Sequence, residues 1–141
     1  MTKAETKAIA VYVGCNADAG HPMGVHVLST IPHSSCLAAA IRFTPDGKRI
    51  VVSNRGENSL VVFDFDEATG KLTFKARTLL SGDWPRDFAF AGDDIVLVAF
   101  ERSGEVQTLR YDSESGMFAP LVTLGGFYRP LAVLPQKEVT P

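Results

Sequence analysis

Ser59-Leu-Val-Val-Phe-Asp-Phe-Asp-Glu-Ala-Thr-Gly70 returns as Glu105-Val-Gln-Thr-Leu-Arg-Tyr-Asp-Ser-Glu-Ser-Gly116, so that Asp66 answers to Asp112 and Gly70 to Gly116 at an offset of 46. The match extends backward, with Arg49-Ile-Val-Val-Ser-Asn54 against Ile95-Val-Leu-Val-Ala-Phe100, and one residue fewer in the preceding turn pairs Phe43 with Phe90. A period of about 40 to 50 residues holding four short strands marks a β-propeller blade. The fold class this predicts is all-β, built of blades of four antiparallel strands.

Outward from the repeat, apolar runs rich in Val, Ile and Phe recur between turn formers, and helix signals are nearly absent. Lettered a to d, the strands of the first complete blade are Ala38–Thr44, Arg49–Ser53, Leu60–Phe65 and Leu72–Leu80. Those of the second are Asp87–Phe90, Ile95–Phe100, Val106–Tyr111 and Met117–Leu124. Further runs at Ala8–Gly14, Gly24–Ile31 and Leu131–Leu134 read as strands as well. Thr44-Pro-Asp-Gly-Lys48 sets Pro where φ must lie near −65° and Gly where φ is positive, which makes a tight antiparallel connection. Arg49–Ser53 is apolar without alternation, as in a strand covered on both faces by neighbouring blades. Leu60–Phe65 alternates weakly and reads as a strand nearer the rim.

Composition excludes several classes of function. The chain has 141 residues and a net charge of −2, with no Lys/Arg-rich stretch, so it lacks the basic field that draws nucleic acid. No apolar run approaches the roughly 20 residues that span a bilayer, and Met1 to Lys7 is polar, so the expected address is cytoplasmic. Cys15 and Cys36 lie in separate segments without CxxC spacing and read as reduced thiols. His21, His26 and His33 form neither HxxxH nor HExxH, so no metal is expected, nor any other cofactor. A serine elbow and a phosphate-cradling glycine loop are also missing.

In an antiparallel meander the chain reverses at every turn, so the b–c loops and the connections from d to the next a share one side. That side receives 32–35, 54–58, 82–87, 101–104 and 125–130, which carry His33, Arg55, Trp84, Arg86, Asp87, Glu101, Arg102 and Arg129. The opposite side receives ordinary turns: Pro45-Asp-Gly-Lys, Glu67-Ala-Thr-Gly, Gly92-Asp-Asp and Ser113-Glu-Ser-Gly.

Ala39-Ala-Ile-Arg-Phe-Thr-Pro-Asp-Gly-Lys-Arg-Ile-Val-Val-Ser-Asn-Arg-Gly56, followed by Ser59-Leu-Val-Val-Phe, Thr69-Gly-Lys-Leu and Pro85-Arg-Asp-Phe-Ala89, resembles the C-terminal part of the propeller-type lactonases. These are the bacterial cycloisomerase-like 6-phosphogluconolactonases. Val27-Leu-Ser-Thr-Ile-Pro32 resembles the strand before this stretch, so the likeness covers about Val25 to Pro135. It implies a seven-bladed ring, of which about two and a half blades are expected here in one domain. Residues 1–36 read as irregular or a partial blade, 37–81 and 82–124 as full blades, and 125–141 as the first strand of the next blade and a tail. Ala8–Gly20 reads either as an abbreviated blade or as the family's N-terminal segment joined to a late one, as in an internally deleted or truncated gene. Two departures stand out: Glu57 follows SNRG where the family usually has His, and Ala99-Phe-Glu101 stands where Ala-Asn-Gln is commoner.

The resemblance also implies hydrolysis of 6-phosphogluconolactone or a similar sugar lactone, a step of the pentose phosphate pathway. Such a reaction needs a base for water, donors for an oxyanion and cations for a phosphate. Arg55, carried over from the family's SNR, is the first candidate, for substrate binding or for polarising the ester carbonyl. Its alternative is an ion pair with Glu57 or Asp87. Arg86, Asn54 and His33 are further candidates for substrate binding, while Asp87 and His33 are the nearby candidates for the base. Arg86 and Asp87 read equally as an ion pair locking adjacent blades. Trp84 and Tyr128 read as aromatic wedges between blades, or else as the walls of a sugar groove. Two other functions stand beside the enzyme: an inactive binding module, and an assembly module whose copies pair through open blade edges.

Overall fold

The computed structural model describes residues 14–15, 24–25 and 37–136. Every regular element among them is a strand. The short pair β1 (Gly14–Cys15) and β2 (Gly24–Val25) forms a two-residue antiparallel ladder. The first four-stranded sheet contains β3 (Leu37–Phe43), β4 (Arg49–Arg55), β5 (Ser59–Phe65) and β6 (Leu72–Leu79), in the order β3-β4-β5-β6. The second contains β7 (Pro85–Phe90), β8 (Ile95–Phe100), β9 (Glu105–Tyr111) and β10 (Phe118–Leu124), again in chain order. Two antiparallel meanders of four, packed face to face, are successive propeller blades.

The repeat explains the packing. Alternate residues of a strand point to opposite faces, and in β4 both faces are covered: Ile50, Val51, Val52 and Ser53 are all buried. Val51, Leu60 and Val62 join Phe88, Val96, Val98 and Phe100 in one apolar layer between the sheets. Ile50, Val52, Val61 and Phe63 form a second layer on the far face of the first sheet. Burying such a side chain contributes roughly 1.5–3 kcal/mol each, so the layer between the sheets is the main adhesive of the two blades.

β5 differs from its expected place near the rim, because its residues from Ser59 to Phe63 are as buried as those of β4. A four-stranded meander has two interior strands, and the weak alternation of Leu60–Phe65 records apolar layers on both faces. The outer strand β10 shows the contrast, since Leu121, Val122 and Leu124 are exposed. Leu131–Leu134, expected to open a further blade, joins no ladder among the described residues. Its Val133 N–H is taken by a side chain, Asp87 Oδ2, at 3.1 Å.

The first strand of each blade, β3 and β7, carries a bulge near its start, one between Ala38 and Ile41 and one between Pro85 and Asp87. A bulge sets two residues against one and re-aims the side chains around it. In β3 the out-of-register Ala40 N–H is satisfied by Ser53 Oγ at 3.1 Å. In β7 the bulge falls at Arg86, at the side where the b–c loops gather.

Candidate functional site

On that side, Arg55, Trp84, Arg86, Glu101, Arg102 and Arg129 line a cleft of about 510 Å³. A second cleft of about 520 Å³ shares Arg86, Glu101 and Arg129 and adds Tyr128 and Leu131. Each volume falls in the roughly 300–1,000 Å³ range of small-molecule sites. Four guanidinium groups against one carboxylate give the first cleft a strongly positive lining.

Arg55 ends β4 and Glu101 directly follows β8, so the repeat puts them at the same position of successive blades with opposite charge. Arg55 Nη2 donates to Ala38 O at 3.3 Å. Burial pulls its guanidinium below the usual arginine value, the nearby Arg86 charge pulls the same way, and Glu101 opposes both. Glu101 is the anchor of the cluster: its side chain is only 8% exposed and it pairs with both Arg129 and Arg86, the latter at 3.3 Å. The Arg129 hydrogen bond holds the Glu101 carboxyl below the usual carboxylate value, with burial opposing and the charges of Arg129, Arg86 and Arg55 assisting.

Two of the cations lie against Trp84. The Cζ of Arg102 lies 3.3 Å from the centroid of its ring, and that of Arg55 lies 5.6 Å away. Guanidinium groups stack on indole faces through the ring quadrupole, and each contact is worth roughly 0.5–2 kcal/mol. The backbone of Trp84 is left-handed, with φ of +68°, and Arg129 shares that conformation at +48°. Both residues precede a proline, Pro85 and Pro130. Left-handed backbone is uncommon for large side chains and concentrates at functional sites.

Arg55 and Arg86 are thus brought together at the cleft, and other predicted residues are placed elsewhere. Asn54 is buried, and its Nδ2 donates to Ser59 Oγ at 3.3 Å, outside the cleft lining. Ser59 Oγ in turn donates to Glu57 Oε2 at 2.7 Å, and Arg77 pairs with Glu57 Oε1 at 2.7 Å. Glu57 is thus tied to Ser59 and to Arg77. Asp87 does lock adjacent blades, but its partner is Arg42 of β3, at 2.6 Å, in place of Arg86. Its other oxygen accepts the Val133 N–H. His33 lies outside the described residues, as do His21, His26 and Cys36.

Of the two expected aromatic wedges, Trp84 does touch both blades, its ring lying against Arg55 of the first and Arg102 of the second, whereas Tyr128 does not fit the expectation. Tyr128 is 93% exposed, because it sits in the solvated loop after β10, and Trp84 lines the cleft, because its left-handed backbone belongs to a loop. Glu101, Arg102 and Arg129 were legible only as members of a shared loop side. The signal that singles out Glu101 is its repeat equivalence with Arg55. Among the described residues, no group of three or more His, Cys, Asp or Glu gathers as a metal cage. Nor is any helix among them long and apolar enough to cross a membrane.

Comparison with known proteins agrees with the blade architecture. A family described as lactonase, 7-bladed beta-propeller, matches residues 6–134. The 6-phosphogluconolactonase of Bacillus subtilis is 35% identical over 120 residues, which cover 82% of this chain and 34% of the relative. A similar solved structure, the periplasmic gluconolactonase of Pseudomonas aeruginosa, superposes with a TM-score of 0.67 at 31% identity, covering 84% of this chain and 34% of that one. A protein from Lactobacillus plantarum gives a TM-score of 0.66 at 32% identity, covering 78% of this chain and 33% of that one. The chain spans between about a fifth and a third of the length of the curated relatives it matches, 34% and 31% for two of them and 21% for another. With its paired four-stranded blades and this extent of matching sequence, the chain belongs to the seven-bladed β-propeller lactonase family.

Proposed function

We propose that the Arg55–Arg86 cleft binds the anionic end of a phosphorylated sugar lactone, 6-phosphogluconolactone being the substrate first in line, and that the chain serves its hydrolysis. The observation that carries the reading is the convergence of Arg55, Arg86, Arg102 and Arg129 on one cleft around a single carboxylate. Planar guanidinium forks match the paired oxygens of phosphate, and in a partly desolvated cleft they bind an anion more strongly than in water. Arg55 and Arg86 hold the phosphate or polarise the lactone carbonyl. Water adds to the carbonyl carbon, the ring C–O bond breaks, and the products are a free hydroxyl, a carboxylate and a proton. Asp87 serves by holding β7, and with it Arg86, against the preceding blade. His33 remains the candidate base. The names of a 6-phosphogluconolactonase and a gluconolactonase among the similar proteins favour a sugar lactone as the substrate class. The cytoplasm is the compartment proposed, and cell fractionation tests it against the periplasm named for the Pseudomonas protein.

A second reading, a phosphosugar-binding module without turnover, is favoured by one specific observation. Among the described residues lining the cleft, the carboxylate is Glu101, which two arginines hold ionised and engaged, so it makes a poor base. One experiment tests both readings. The purified chain is assayed for hydrolysis of 6-phosphogluconolactone above the spontaneous rate and, by calorimetry, for binding of the product 6-phosphogluconate. Hydrolysis lost in Arg55→Ala supports the enzyme, binding without hydrolysis supports the module, and neither activity refutes the phosphosugar assignment.

A further inference from the structure

We propose that Asn58 is a positioning residue: its side-chain amide fixes Trp84 in the left-handed conformation that carries the guanidinium wall of the cleft. This rests on the reading of that cleft as a phosphosugar site.

Asn58 lies in the b–c loop of the first blade and Trp84 in the connection between blades, 26 residues apart. The amide spans that gap with both of its ends. Oδ1 accepts the Trp84 N–H at 2.8 Å, and Nδ2 donates to Asp83 Oδ1 at 3.0 Å. Consecutive residues are thereby held by a single rigid plane. The Trp84 carbonyl is tied separately, accepting the Glu101 N–H at 3.0 Å. A tryptophan at φ +68°, followed by a proline that restricts it further, persists only where its surroundings over-determine it.

The turn itself does not require this amide. Asn58 has φ of +57°, and the repeat puts Gly104, with φ of +66°, at the same place in the second blade. In both turns this carbonyl accepts a bond from the segment that follows the fourth strand: Leu80 N–H donates to Asn58 O at 2.8 Å, and Phe127 N–H donates to Gly104 O at 3.1 Å. Glycine therefore makes this turn unaided. What Asn58 adds is the pair of side-chain bonds to Asp83 and Trp84. Through Trp84 those bonds bear on the guanidinium groups of Arg102 and Arg55 over its ring.

The comparison with Gly104 also supplies the clean variant, since Asn58→Gly removes the amide and keeps the turn. Trp84 is the single tryptophan of the chain, so its emission reports the cleft directly. Asn58→Gly is expected to shift native emission to longer wavelength, raise quenching by acrylamide, and weaken 6-phosphogluconate binding roughly tenfold. Asn58→Asp keeps the acceptor for the Trp84 N–H and is expected to restore part of both signals. An Asn58→Gly protein with the emission, quenching and affinity of the wild type overturns the proposal. A wild-type protein that binds no 6-phosphogluconate refutes the phosphosugar reading, while the ligand-free emission of the same variants still decides the role of Asn58. If Asn58→Gly does not fold, Asn58→Ala takes its place, because it too removes the amide and does so without glycine's extra freedom in the unfolded chain. The same red shift supports the proposal there, and an unchanged spectrum overturns it.

Discussion

Arg42 of the first blade donates to Asp87 of the second at 2.6 Å, and its Nε also donates to Phe88 O at 2.8 Å, so one side chain spans the boundary between blades. The carboxylate side chain is 14% exposed and the guanidinium side chain 45%. Solvent screening on the arginine side reduces what the pair contributes, and removing only the arginine leaves a largely buried carboxylate behind. Arg42→Ala is expected to cost about 1 kcal/mol in urea denaturation. Asp87→Asn, which keeps the shape and an acceptor for Val133 N–H, should cost no more than that. If Asp87→Asn abolishes lactone hydrolysis at unchanged stability, Asp87 is the base after all and its role as a blade lock is secondary.

The repeat-equivalent glycines Gly70 and Gly116 both hold positive φ, at +71° and +78°. A Cβ at Gly70 meets nothing within 4 Å, whereas one at Gly116 lies 3.0 Å from Lys75 Cγ and 3.2 Å from Ala76 Cβ of the neighbouring blade. Alanine at either site bears the left-handed penalty of about 1–2 kcal/mol. Gly116→Ala also pushes on the blade interface, so its urea midpoint should fall further than that of Gly70→Ala. Equal losses would mean that the interface yields freely there.

How much of this was legible beforehand follows from the same repeat. The offset of 46 located the two blades, the turns and the side on which Arg55 and Arg86 meet, because strand alternation and chain reversal are local rules. It did not reveal that Asp87 answers to Arg42, since that contact depends on how the bulged first strands of the two blades abut. Nor did it reveal the conformation of Trp84. A positive φ at a tryptophan before a proline contradicts local preference and is imposed by tertiary bonds to Asn58 and Glu101.

The positive cleft makes binding sensitive to salt. Arg86 is partly exposed, so its attraction for an anion is screened over a Debye length of roughly 8 Å at physiological ionic strength. Arg86→Ala is expected to lower affinity for 6-phosphogluconate by about tenfold at low salt and to flatten the dependence on salt. Calorimetric titration at several salt concentrations measures both. A salt dependence as steep as that of the wild type places the phosphate away from Arg86.

Acid should act on the cleft through Glu101. Its carboxyl is held below the ordinary value of 4.5, first by the Arg129 hydrogen bond, so the folded state binds this proton less readily than the unfolded chain does. A depressed folded pKa gives stability that is fully present above the unfolded value and is lost as pH falls through the folded one. The loss therefore begins near pH 4.5 and deepens on further acidification. Asp46, Asp66 and Asp112 are depressed as well, chiefly by the hydroxyls of Thr44, Thr69 and Ser115, so the wild type alone cannot isolate the Glu101 contribution. Comparison with Glu101→Gln does: the variant should be less stable at neutral pH and lose less on acidification, so that the two urea midpoints converge below the folded pKa. Parallel profiles across the acid range would show that Glu101 titrates alike in the folded and unfolded chains, and that its pairing with Arg129 and Arg86 adds nothing to stability.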